Sequence, residues 1–157
     1  MTQLASLTRF LEENLPERAR IPFTSDMDEI SLLPCARDLG RGQICTQVRK
    51  YTAYLRWDAW PYRELDPDLV FSLVESWLND CGGELRETMA PGTPDVDVEV
   101  DDENEVAWME ISLPLVDPIV LIPDENGPVP RNGKRYRLGT PEIWVAESIR
   151  VCCGDGP

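Results

Sequence analysis

Apolar residues return along this chain with two periods, and the changes between them set out the elements. Over Thr2–Leu15, Leu4, Leu7, Leu11 and Leu15 recur every three or four residues with Phe10 beside them. That spacing predicts an amphipathic helix packed on the domain. Thr2 is placed to cap its start and Pro16 to stop it. A second helix is announced by Leu69, Val70, Leu73, Val74, Trp77 and Leu78. Asp66 suits its N-cap, Pro67 its first position and Asp68 the positive end of its dipole. Gly82 and Gly83 supply its stop.

Elsewhere the period is two. Ile44–Trp57 places Tyr51, Ala53, Leu55, Trp57 and then Ala59 on one face, with Thr52, Tyr54, Arg56 and Asp58 on the other. Val96, Val98 and Val100 alternate with Asp95, Asp97, Glu99 and Asp101, and Val106–Leu113 follows a turn near Asp102, Glu103 and Asn104. This reads as a hairpin with its valines inward and its acids in solvent. Pro118–Ile122 reads as a short strand, and Glu142–Val151 as a further strand or short hairpin. Glu17–Gln43 holds Pro22, Pro34, Gly40 and Gly42 and reads as an irregular connection, partly docked through residues such as Phe23 and Leu33. Asp124–Lys134, with Asn126-Gly127 and Asn132-Gly133, reads as a proline-rich loop, and 154–157 as a tail. The expectation is one domain over 1–157 of α/β (α+β) class, with a mixed, mostly antiparallel sheet and two principal helices.

Charge changes this picture more than length does. The 157 residues are 42% hydrophobic, enough for a core, yet 29 acids against 15 bases leave a net charge of −14. Such a surface repels nucleic acid and anionic membranes, so neither is an expected partner. There is no histidine, which removes Ser-His-Asp and Cys-His catalysis and most catalytic zinc sites. Cys35, Cys45, Cys81, Cys152 and Cys153 show no Cys-x-x-Cys spacing, and their odd number suits reduced thiols. Met1–Glu13 lacks a basic region followed by an apolar run, so a cytosolic protein is expected.

Eight carboxylates and no base lie between Asp95 and Glu110. Asp95, Asp97 and Glu99 imitate the opening of a calcium loop, but Val100 stands where glycine is needed and Val106 where the closing glutamate is needed. Acids along an exposed strand also lack the burial that separates a catalytic pair. No phosphate loop, dinucleotide fingerprint or Gly-x-Ser-x-Gly occurs. The chain is therefore expected to be no enzyme, with no catalytic residue, cofactor or metal.

The charges are also segregated. Between Glu87 and Pro130 stand twelve acids and not one Lys or Arg; Arg49, Lys50, Arg56 and Arg63 precede this stretch, and Arg131, Lys134, Arg135 and Arg137 follow it. Either the signs neutralise within one fold, or one copy's acidic flank faces the next copy's basic flank in a heterologous contact. Trp60-Pro61-Tyr62 is either core-edge packing or an aromatic interface. Trp60, Tyr62, Arg49, Lys50 and Arg63 are thus the candidate subunit or partner interface.

Arg49-Lys50-Tyr51-Thr52, the helix ending Trp77-Leu78-Asn79, the acidic hairpin before Trp108-Met109-Glu110-Ile111-Ser112-Leu113, and the closing Glu142-Ile143-Trp144-Val145 together resemble the tail-completion proteins (tail protein R) of contractile-tailed temperate phages. The resemblance spans most of the chain at the level of pattern. It implies a fold like that of tail terminators and a ring, usually six-fold, at the head-proximal end of the tail. Such a ring stops tube and sheath growth and offers a platform for the head. The implied partners are further copies of the chain, the tail tube protein, the tail sheath protein and a head-completion or neck protein. A tail-like bacteriocin would use the same part as a cap. In such a ring Asp97, Glu99 and Asp101 are candidate lumen-facing acids that keep passing DNA from sticking. The alternatives are a head–tail connector or neck protein and, from another class, a cytosolic acidic adaptor that mimics nucleic acid.

Overall fold

A computed structural model of the chain describes residues 2–139. The strand or hairpin expected at 142–151, Cys152, Cys153 and the tail at 154–157 lie outside the described residues. Helix α1 spans Gln3–Asn14, and the Thr2 side chain accepts a hydrogen bond from the Ala5 N–H at 3.0 Å. Its expected stripe of Leu4, Leu7, Leu11 and Leu15 is buried. A 3-10 turn at Glu17–Ala19 then leads into a long hairpin, β1 (Thr24–Gly40) and β2 (Gln43–Trp60). Helix α2 spans Asp68–Cys81, with the Asp66 carboxylate accepting from the Asp68 N–H at 2.9 Å. Helix α3 spans Gly83–Met89. The strands β3 (Asp95–Asp101), β4 (Val106–Pro123), β5 (Val129–Arg131) and β6 (Lys134–Leu138) complete the order.

Among the described residues all the strand pairings are antiparallel, in one six-stranded sheet of order β1-β2-β4-β6-β5, with β3 also paired to β4. The fold is α+β, with three helices among the described residues. β4 is the axis. Its first half, Val106–Ser112, carries β3, and its last residues, Leu121–Pro123, carry β6 on the same flank. The opposite flank is occupied throughout by β2.

Two apolar clusters lie on opposite faces of this axis. Below α1 and α2, Tyr51, Ala53, Leu55 and Trp57 meet Met109, Ile111, Leu113 and Leu115. Toward the other end, Cys45, Val48, Val116, Val120 and Ile122 pack with Leu85, Met89 and Ala90 of α3 and the residue after it. The parity of β4 puts its odd residues in the first cluster and its even residues in the second. Arg86 fastens α3 to the strand: it is buried and donates to the Pro114 carbonyl at 2.8 Å and the Gly92 carbonyl at 2.7 Å. Burial lowers the pKa of its guanidinium.

Six expectations change. Thr24–Gly40 is a strand, not an irregular connection; it is exposed along most of its length and broken by register shifts after Asp28 and Pro34. Strand β4 runs through Pro114 and Pro118, in the gap where neither β3 nor β6 pairs with it. A missing N–H facing that open flank costs no ladder bond. The Gly82-Gly83 pair redirects the chain into α3, with Gly83 at φ 75°. A bulge between Trp57 and Trp60 turns Ala59 out and Trp60 in. The loop at 124–134 contains β5, and Asn132-Gly133, both at positive φ, make its two-residue turn into β6. Cys35 and Cys45 are free thiols, whereas Cys81 is disulfide-bonded and departs from the all-reduced expectation.

Candidate assembly surfaces

Among the described residues, the sheet face opposite α1 and α2 has no helix over its β3 end. From β2 it presents Thr52, Tyr54 and Arg56, and from β4 Trp108, Glu110 and Ser112, all half-buried. Residues directly opposite in an antiparallel pair share a face. Asp26 and Asp28, opposite Tyr54 and Thr52, therefore join this face from β1, and Asp97 and Glu99, opposite Glu110 and Trp108, join it from β3. Arg56 is the cation at its centre. It pairs with Glu110 through Nε and with Asp26 through Nη1 at 3.0 Å, and lies 4.9 Å from the centre of the Tyr54 ring. The Tyr54 hydroxyl in turn donates to Glu29 at 2.8 Å. That bond raises the Tyr54 pKa, and the Glu110 bond raises that of Arg56.

Strand β3 is the outer edge here. The valines do not face inward as expected: Val96, Val98 and Val100 are 44%, 45% and 56% exposed. They lie opposite Ile111, Met109 and Ala107, on the side that α1 and α2 cover further in, but the helices stop short of them. Asp97 stands directly across from Glu110, a like-charge pair that costs energy. The Arg56 beside Glu110 is already shared with Asp26. Asp101 has a local use: the Asn104 side-chain amide donates to it at 2.7 Å, and this holds its carboxyl below the usual range. The β3–β4 turn is thereby tied down.

The five candidate interface residues do not form one patch. Trp60 is buried, and its indole N–H donates to the Leu65 carbonyl at 3.0 Å, so it packs the core edge and is withdrawn from any surface. Arg49 is committed inside the fold. It reaches Asp117 at 3.3 Å and lies 5.9 Å from the centre of the Tyr51 ring. Asp117 is buried and also accepts the Gln3 N–H at 2.7 Å, so this pair anchors the start of α1 to β4. Burial and Asp117 together raise the Tyr51 pKa strongly. Lys50 is half-buried beside Arg49 on β2. Tyr62 and Arg63 sit elsewhere, against the β3–β4 turn. The Tyr62 hydroxyl donates to Asp102 at 3.1 Å, and Arg63 stacks over the Tyr62 ring and lies 4.0 Å from Glu105.

The far end of β4 carries the opposite charge. The β5–β6 hairpin holds Arg131, Lys134 and Arg135, all exposed. Beside it runs a groove lined by Ile119, Leu121, Val129 and Leu138, with Arg131 on its rim. Leu138 is 63% exposed. Sequence reasoning missed the Arg56 network and this groove, because both arise from pairings far apart in the chain. Among the described residues no group of His, Cys, Asp and Glu is arranged to hold a metal ion. Nor is any described helix long and apolar enough to cross a membrane.

Residues 1–141 match the family model of the P2 phage tail completion protein R. An uncharacterized 19.2 kDa protein in the rep–hol intergenic region of Haemophilus phage HP1 (strain HP1c1) is 25% identical over 145 residues, which cover 92% of this chain and 86% of that protein. No solved structure matches.

Proposed function

The chain belongs to the phage tail completion protein R family, and from this premise we propose that it forms a ring at the head-proximal end of the tail. In that place it terminates growth of the tube and sheath and offers the head its docking platform. A structural role in the phage tail follows from the family. The ring, its position and its partners are the further reading. One observation carries that reading: acid and base are held at opposite ends of one strand, at β3 and at β5–β6. Two copies meeting by the same end would repel. Copies meeting head to tail attract, and a heterologous contact closes into a ring when its rotation permits. The partners so proposed are further copies of the chain, the tube and sheath proteins that end beneath the ring, and a neck protein above it.

The test is electron microscopy of a lysate with gold-labelled antibody, with tail lengths measured in a deletion. Label at the head-proximal end with overlong or ragged tails in the deletion is the expected result. Label at the neck with tails of normal length replaces the terminator with a head–tail connector. A lysate with no labelled particle removes both.

A further inference from the structure

We infer that the outer edge of β3 in one copy docks on the basic β5–β6 hairpin and its neighbouring groove in a second copy. This rests on the ring reading and names its seam. All seven residues of β3 are exposed. Among the described residues the strand is an edge, paired to β4 on one side and offering a row of backbone N–H and C=O groups on the other. Its valines form an apolar ridge, and Asp95, Asp97 and Glu99 form an acidic row on the reverse side. At the other end of β4 the features are the converse. The groove beside Val129 and Leu138 sets Ile119 and Leu121 beside Thr46 and Gln47, with Arg131 in its lining, and Arg131, Lys134 and Arg135 of the hairpin have no ion pair among the described residues.

Distance forbids one copy from satisfying itself. Met109, opposite Val98, and Ile122, opposite Arg137, are separated along β4 by about 40 Å at ~3.3 Å per residue. The acidic row also repels an identical edge, so it selects against β3 meeting β3 while attracting the hairpin. The Asp97–Glu110 opposition is relieved when a second copy brings a cation to Asp97. At the seam these acids are neutralised, which replaces the lumen-facing role expected for Asp97, Glu99 and Asp101. The uncompensated charge left on the bare face then comes from β1.

Zero-length carbodiimide coupling reads this contact directly, because Lys50 and Lys134 are the chain's only lysines. It is applied to purified tails and to the purified full chain. The expected product is a covalent ladder of three or more copies, with peptides joining Lys134 to the 95–101 segment. D97N/E99N/D101N reduces the ladder at least tenfold. D97K/E99K and R131E/K134E each abolish it, and the two sets combined in one chain restore it. A ladder in neither sample, a ladder untouched by D97N/E99N/D101N, or failure of the combined reversal overturns the seam. If the asparagine variant keeps its ladder and alters only DNA ejection, the acids face the lumen instead. Tail length in the deletion is read separately. Overlong tails with no seam cross-link leave termination standing and remove the contact; cross-links with unchanged tails do the reverse.

Discussion

The two sides of the β2–β4 pair come from the same strands and have opposite surroundings. On one side Tyr51, Ala53, Leu55 and Trp57 disappear beneath α1 and α2 with Met109, Ile111 and Leu113. On the other, Thr52, Tyr54, Arg56, Glu110 and Ser112 are half-buried, and among the described residues side chains of β1 and β3, not a helix, flank them. Packing dictates every residue on the first side, since a one-methylene change in a dense core is felt. Packing dictates little on the second. Its charges are costly to crowd together and do not hold the helices.

The largest effect expected in breaking this contrast is on the covered side. Trp77 is fully buried, and its indole N–H donates to Ser6 at 3.3 Å, tying α2 to α1. Trp77→Ala should cost about 3–5 kcal/mol, read by urea unfolding. Loss of less than about 1 kcal/mol means that α2 is not part of the core, on the same scale of buried-aromatic truncations.

Next is the anchor at the covered side's margin. Asp117→Ala leaves Arg49 half-buried without its carboxylate and the Gln3 N–H without its acceptor, and should cost about 2–3 kcal/mol. The same anchor sets an alkaline limit. The folded Tyr51 pKa is raised, so the neutral phenol is the form the fold holds. Its contribution is fully present below the unfolded tyrosine pKa of about 10 and is lost as pH rises beyond it toward the folded value. Tyr51→Phe should flatten the fall of stability above that point. A fall identical in both proteins assigns the alkaline limit to another group.

Smaller still is the centre of the bare face. Arg56→Met removes two ion pairs, but the Arg56 side chain is 35% exposed and its Asp26 partner 55%. The cost should be about 1 kcal/mol or less, falling further in high salt. A loss comparable to that of Trp77→Ala would make the bare face a second core and erase the contrast.

The covered side was legible in the sequence because burial on one side imposes a period. The stripe of α1, the stripe of α2 and the alternation of Tyr51 to Trp57 all follow the side-chain geometry of elements with one wet face. Strand β1 was illegible for the converse reason. Its Met27 packs on the first cluster and its Leu33, Cys35 and Leu39 on the second, so no single face keeps one period along it, and its bulges tolerate Pro34 and Gly40, which otherwise read as breakers. Strand β4 was read as two pieces because its prolines fall where β3 has ended and β6 has not begun, a gap visible only once the sheet is assembled. The acidic run is legible as a solvated strand face, but period-two alternation alone does not say whether a helix covers its valine side, and here α1 and α2 stop short of it. The charge segregation pointed to two flanks, and the topology of β4 supplies the distance between them. The sequence leaves Trp60 between core-edge packing and an interface, and it cannot show that Arg49 reaches Asp117, because the partners Leu65 and Asp117 are set by tertiary contact.

The valines of β3 give the smallest expected effect on stability and the sharpest use of the comparison. They point to the covered side by register but are about half exposed, so they belong to neither class. If they act as core, replacing Val96, Val98 and Val100 with threonine should cost several kcal/mol in sum, because each buried methyl contributes about 1 kcal/mol. If they serve a second copy, each change should stay within about 0.5 kcal/mol, as exposed positions do. The carbodiimide ladder should nevertheless weaken, since the same methyl groups become buried only on association. Thermal unfolding of the dilute chain and the ladder at high concentration are measured on one variant. Unchanged unfolding with a lost ladder places the valines in the seam. Lowered unfolding temperature places them in the core, and the bare edge then ends at the acids alone.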